Sequence, residues 1–302
     1  MANLYYVGTG TTGSPTGWNS TSYWSTSSGG ASGASVPGSA DTAIFDSNSG
    51  SCTTDIAVTV HNLTIAGGTG GNYGTGSFSH FNLGAALTVS VACIVGGSAS
   101  SNVGLFATNG YACLIGRFQS LVQVGSGGSV DIDITNSSFS LTGPSGTLFE
   151  FLGGTFTCPG STIHITDTGS GIKTFEGLGT YNNITITAGG TGAVIFNNLF
   201  TCSTFTCTGP KTLTFEAGMT FTFSAFNVSG SASHLVTINS SAAGTAAILA
   251  CSATVSCTYV SLKDNTASGG SFYYDPNSVI VSNVTGWSAA PGAMVGMLGV
   301  LG

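Results

Sequence analysis

Ile184-Thr185-Ile186-Thr187, Thr204-Phe205-Thr206-Cys207, Thr212-Leu213-Thr214-Phe215 and Thr220-Phe221-Thr222-Phe223 follow one another between Tyr181 and Val228. Each alternates a hydroxyl with an apolar side chain, and a period of two is the pattern of a half-buried strand. The connections are Gly189-Gly190-Thr191-Gly192, Thr208-Gly209-Pro210 and Ala217-Gly218. Glycine accepts a positive φ and proline presets its own, so such segments bend the chain at little cost. No helical spacing interrupts them. Short strands joined by small turns predict an all-β chain that winds as a β-solenoid.

The same texture extends towards the N-terminus. Ala86 to Val95, Gly104 to Leu114, Leu121 to Val124, Val130 to Thr135, Phe139 to Leu141, Leu148 to Phe151 and Thr162 to Thr166 all read as strands. Val60-His61-Asn62-Leu63-Thr64-Ile65 returns as Tyr181-Asn182-Asn183-Ile184-Thr185-Ile186, a recurrence expected of coils that share one cross-section. At roughly 20 to 25 residues per coil and about 4.8 Å per rung, some ten coils make a rod about 50 Å tall. At about 25 cal/mol per Å² of apolar surface, stacking each coil contributes several kcal/mol before chain entropy is subtracted.

The 302 residues carry only four Lys plus Arg against eleven Asp plus Glu, a net charge of -7, with 47 glycines. Neutralising a nucleic-acid backbone takes clustered cations, so no nucleic-acid partner is expected. Solubility rests on Ser, Thr and Asn. No run reaches the roughly 18 apolar residues of a membrane helix, and Met1 to Gly10 lack the pattern of a secretory signal. Eight cysteines are expected as free thiols, several of them inward, as in the two copies of Thr-Phe-Thr-Cys ending at Cys158 and Cys207. No C-x2-C spacing occurs, and neither a metal nor a cofactor is expected.

Four segments follow from these textures. Residues 1–50 form an N-terminal cap or attachment segment, in which Tyr5, Tyr6, Trp18, Tyr23 and Trp24 are suited to cover the first coil. Residues 51–227 form the solenoid body, 228–287 a closing block, and 288–302 an apolar, glycine-rich tail that either packs on the molecule or serves as a peg in a neighbouring subunit. Gly8-Thr9-Gly10-Thr11-Thr12-Gly13 matches G-x-G-x-x-G formally, yet Ser14-Pro15 follows where a dinucleotide site needs a helix.

Both end blocks carry a resemblance. Val236-Thr237-Ile238, Ser240-Ser241, Ala243-Gly244-Thr245, then Val260-Ser261-Leu262-Lys263-Asp264, Ser268-Gly269-Gly270, Phe272-Tyr273-Tyr274, Asn277-Ser278 and Asn283-Val284-Thr285-Gly286-Trp287 look like the closing block of phage virion structural proteins of right-handed parallel β-helix type. Trp24-Ser25, Ser28-Gly29-Gly30, Gly33, Val36-Pro37, Asp41 and Phe45-Asp46 are similar to their opening block. The resemblance implies a right-handed parallel β-helix at a virion surface, assembled in the host cytoplasm.

Carboxylates are the first candidates for chemistry, since β-helices host glycosidases and lyases. Glu150, Glu176 and Glu216 each follow a phenylalanine near a strand end, and their spacing fits one corner with Glu150 and Glu176 on adjacent rungs. That separation approaches the roughly 5 to 5.5 Å of a retaining pair. A stacked pair with only Lys173 nearby would repel, so strand-end capping is the expectation. Asp131 and Asp133 share a face, but one pair falls short of the six to eight oxygens of a calcium site. His61, His80, His164 and His234 stand apart from acids and cysteines, and no G-x-S-x-G elbow occurs.

The combined expectation is a non-enzymatic capsid decoration (cement) protein, trimeric and seated on a major capsid protein. The alternatives are a tail spike or fibre that recognises a host glycan, and a bacterial solenoid adhesin.

Overall fold

The computed structural model describes residues 1–10, 16–46, 48–67, 80–97, 103–122, 129–167, 169–188 and 190–291. Thr11 to Gly13 of the glycine motif, Gly189, Val124, the His80 side chain and the tail from Gly292 lie outside what is described. The described chain is all-β, with no α-helix and one short 3-10 turn at Thr21–Tyr23. Its principal sheet has 19 strands, flanked by sheets of six and three, and the pairing is mostly parallel. An antiparallel pair, Asn3–Tyr6 with Trp24–Ser25, stands at the N-terminal edge.

Three pairing ladders organise the strands. In the first, Leu87 aligns with Cys113, then Phe139, Ile163, Ile184, Phe205 and Phe226. In the second, Leu4 aligns with Ala43, Leu63, Cys93, Phe118, Phe149, Phe175, Phe196 and Phe215. The third is the six-stranded sheet from Thr16–Gly17 to Thr155–Thr157, with Cys52, Phe81, Phe106, Ile132 and Phe156 in register. Threonine, serine and asparagine fill the alternate positions, so each ladder turns one apolar face inward.

All three ladders enclose one core. Phe106 of the third meets Phe118 of the second at 6.0 Å, and Phe118 meets Phe139 of the first at 5.4 Å. Phe149 and Phe175 stack at 4.5 Å with their planes 7° apart, the arrangement that parallel in-register pairing imposes on identical side chains. The buried cluster runs from Leu4 to Phe272 across the boundaries at 50 and 227, so cap, body and closing block share it.

Long strands serve two ladders by bending once. Val58–Gly67 and Cys113–Val122 each shift register, between Val60 and Asn62 and between Ile115 and Arg117. A Cβ on Gly116 would lie 2.5 Å from the Val91 carbonyl, so only glycine permits that corner. Elsewhere side chains set the corner: Asn198, Asp264 and Asn283 adopt φ of 64°, 51° and 51°. Asn and Asp enter this left-handed region more readily than other non-glycine residues, and the Asn283 amide donates across to Asp264 Oδ1 on the neighbouring strand at 3.0 Å.

Two sequence expectations change. The segment Gly104 to Leu114 is two strands, Val103–Ala107 and one beginning at Cys113, broken where Asn109 and Gly110 take φ of 49° and 83°. The recurrence is also not structurally equivalent: Leu63 and Ile65 lie in the second ladder, Ile184 and Ile186 in the first. Alternation records which side faces the core and is blind to which ladder a strand joins.

Candidate functional site

The glutamates fall into one outward column of the second ladder. Gln119 aligns with Glu150, Glu150 with Glu176, and Glu176 with Asn197. The Phe196–Phe215 pairing sets Glu216 next in line after Asn197. Every member directly follows an inward phenylalanine: 118, 149, 175, 196 and 215. The sequence reading took only the three acids of this recurrence. Gln119 and Asn197 carry the same Phe-polar signature and were legible by extending it.

Those amides decide what the column does. Gln119 Nε2 donates to Glu150 Oε2 at 2.8 Å, Asn197 Nδ2 donates to Glu176 Oε1 at 3.5 Å, and the Asn198 backbone N–H donates to Glu216 Oε2 at 2.6 Å. An amide between two carboxylate rungs supplies N–H donors where a third acid would add repulsion. Glu216 caps a corner, as its strand-end position predicts. Lys173 lies on the opposite, inward side of its strand, where its Nζ donates to the Gly171 carbonyl at 2.8 Å. Burial lowers its pKa.

Beside the acids runs an apolar stripe. Leu152, Leu178 and Leu199 each stand two residues past a column member, so the same register stacks them at the adjoining corner, 46%, 38% and 52% exposed. The Leu178 N–H donates to the Phe151 carbonyl at 3.0 Å and holds the corner in place. The half-buried column and the exposed leucines thus run side by side over three successive strands.

A shallow notch of about 390 Å³ opens where the third ladder changes hands. Thr155–Thr157 is the last strand of the six-stranded sheet, and the next turn of chain, Gly179–Ala188, belongs to the principal sheet. Phe156, Thr157, Thr180, Tyr181, Asn182 and Ser203 line the gap with rings, hydroxyls and an amide.

The aromatic cap is almost wholly interior. Tyr6, Trp18 and Trp24 are buried, with Trp18 and Trp24 edge-to-face at 4.6 Å and the Trp24 Nε1–H donating to the Trp18 carbonyl at 2.9 Å. Asp55 Oδ1 accepts from the Trp18 and Asn19 backbone N–H groups. Only Tyr5 and Tyr23 of the five reach the surface in part. A lid fits this arrangement; an attachment face built on the buried rings does not.

Asp133 and the cysteines have structural roles. Asp133 Oδ1 accepts from the Thr135 N–H at 2.9 Å and shapes a turn. All eight cysteines are buried thiols. Burial pushes Cys52, Cys113, Cys202, Cys207 and Cys257 up to about 12, so they remain protonated at neutral pH. Among the described residues no group of three or more His, Cys, Asp or Glu is arranged to hold a metal ion. No family model, curated protein or solved structure matches the chain.

Proposed function

We propose that this chain winds as a right-handed parallel β-solenoid and serves as a non-enzymatic capsid decoration protein on a phage head, bound to the major capsid protein as a trimer. The observation that carries the non-enzymatic part is the state of its polar groups: each glutamate of the column accepts a hydrogen bond from the adjoining turn of chain, Glu150 and Glu176 from side-chain amides and Glu216 from a backbone N–H. A general acid or nucleophile needs a carboxyl aimed at substrate, and these are aimed at amides. The winding is supported by three parallel ladders around one core. The virion assignment is supported by the likeness of the opening and closing blocks.

The strip of Leu152, Leu178 and Leu199 beside Glu150 and Glu176 is the surface offered to the shell or to a neighbouring copy. Exposed leucines in an otherwise hydroxyl-rich wall supply the apolar centre of a contact, and the acids set its polarity. Quantitative mass spectrometry of purified particles tests the assignment. A copy number matching the shell lattice supports decoration, with Leu152→Ser/Leu178→Ser/Leu199→Ser lowering incorporation; a copy number matching the tail overturns it.

One observation favours the tail-spike reading, namely the notch in which the part-exposed ring of Phe156 lies beside Asn182 and Ser203. A ring beside a hydroxyl and an amide suits a sugar face and its hydroxyls. Retention on immobilised host-surface polysaccharide, lost in Asn182→Ala, would move the assignment from head to tail.

A further inference from the structure

Few of the four cationic side chains reach the surface. Lys173 and Lys211 are buried, and Lys263 leans towards Asp264, its Nζ 4.0 Å from Oδ2. Arg117 is exposed, and it stands where Cys113–Val122 turns from the first ladder into the second. The chain approaches that corner along an apolar face. Tyr111, in the turn before the strand, and Leu114, on the strand's outward side, are 41% and 45% exposed. Tyrosine and arginine on either side of a leucine have the composition of a protein contact rather than of a solvated wall.

The rest of the surface names the partner. An arginine set in an apolar patch is matched by a carboxylate set in another. Glu150 and Glu176, beside Leu152, Leu178 and Leu199, make such a surface. Gln119 bonds Oε2 of Glu150 and Asn197 bonds Oε1 of Glu176, so each carboxylate keeps its other oxygen for a donor from outside. Elsewhere two copies repel, since each carries a net charge of -7.

We propose that these surfaces are the two halves of one interface, the face of Tyr111, Leu114 and Arg117 on one copy packing against the leucine strip and its acids on the next. Leu114 points outward from the first ladder, whereas the strip lies at the far end of the second. Unlike surfaces on different corners make a heterologous contact, and a rotation that repeats it closes a ring. The inference rests on the proposed association of copies, which it assigns to these residues, and not on the virion assignment.

Sedimentation velocity on the full chain tests it. The chain forms a closed oligomer whose size stops growing with concentration. Leu114→Ser/Arg117→Glu breaks one surface and Leu152→Ser/Leu178→Ser/Leu199→Ser the other, each weakening association at least about tenfold with unchanged circular dichroism. Mixing is the decisive arm. Each variant retains the surface that the other lacks, so an equimolar mixture forms a dimer with one copy of each and stops there. The inference is overturned by a mixture that stays monomeric, by a Leu114→Ser/Arg117→Glu chain that associates as the natural one does, or by a natural chain that is monomeric at every concentration. Copy number on particles separates this from the head assignment. A monomer present in lattice number leaves decoration standing without the interface; an oligomer present in tail number keeps the interface and removes decoration.

Discussion

The two ends of this molecule solve one problem in opposite ways. A stack of paired strands has two bare edges, and each must be covered or left to recruit something else. At the N-terminal end Trp24–Ser25 pairs antiparallel to Asn3–Tyr6, and a two-residue strand leaves little edge to template another chain. Tyr6, Trp18, Trp24 and Phe45 then fill the core end as one buried aromatic cluster. At the C-terminal end the last described strand of the principal sheet, Val279–Thr285, is seven residues long, and its apolar side chains stay exposed. Closure costs sequence: the cap uses some fifty residues, and its rings meet the body at Phe81. The open end defers that cost to whatever docks there.

Alkaline pH produces the largest effect and shows which end yields first. The five thiols held at about 12 titrate near 9 once unfolded, so their contribution is complete below pH 9 and disappears as pH rises towards 12. Lys173 and Lys211 act oppositely: burial lowers both, Lys211 from 10.5 to about 8, so the folded state gains from them as pH rises towards 10.5. Five thiols outweigh two lysines, and the fold should be lost between pH 9 and 12 by circular dichroism. Exchange measured at the onset should locate the first opening at Val279–Thr285; opening first at Asn3–Tyr6 would break the comparison.

Trp24→Ala comes next. It empties a sealed site and removes the Nε1–H bond to Trp18, at a cost of about 3 to 5 kcal/mol in urea unfolding. The matching change at the open end, Ile280→Ala, costs under about 1 kcal/mol because that side chain is already part exposed. Equal losses at the two ends would contradict the difference drawn here. Gly286→Ala sharpens it. Gly286 holds φ at 77°, and an added Cβ would lie 2.1 Å from the Ala267 carbonyl, so the last turn must shift. We expect a loss of about 1 to 3 kcal/mol, with faster exchange confined to Phe272–Tyr274 and Trp287–Ala289. The smallest effect is on the column between the ends. Gln119→Glu places a third acid against Glu150 and costs up to about 1 kcal/mol near neutral pH, recovered at high salt.

Much of the wall was legible from the chain alone. Thr212 to Phe215 and Thr220 to Phe223 became strands Lys211–Phe215 and Thr220–Ser229, with Gly209 and Gly218 at φ of 86° and 74° in the turns between them. The site was half legible. Spacing placed Glu150 beside Glu176, but the amides that answer them were missed because neutral side chains draw no notice in a search for acids. Lys173 was expected near the acids and lies instead on the inward side of its strand, because position 173 shares the core-facing parity of Phe175.

By itself the sequence determined which side chains face the core, since alternation is a local property written into every strand. It also determined the scarcity of charge and the reliance on hydroxyls at the surface. Only the tertiary structure decided which ladder each strand joins, which placed near-identical segments at Leu63 and Ile184 in different ladders. It alone gave the glutamates of that column their amide donors, and sealed the N-terminal end while leaving the far edge of Val279–Thr285 unpaired among the described residues. The reason is physical: neighbours in a parallel ladder, such as Phe149 and Phe175 or Phe272 and Trp287, are far apart in the chain, and that partnership is settled by register and corner geometry, which no short window of sequence contains.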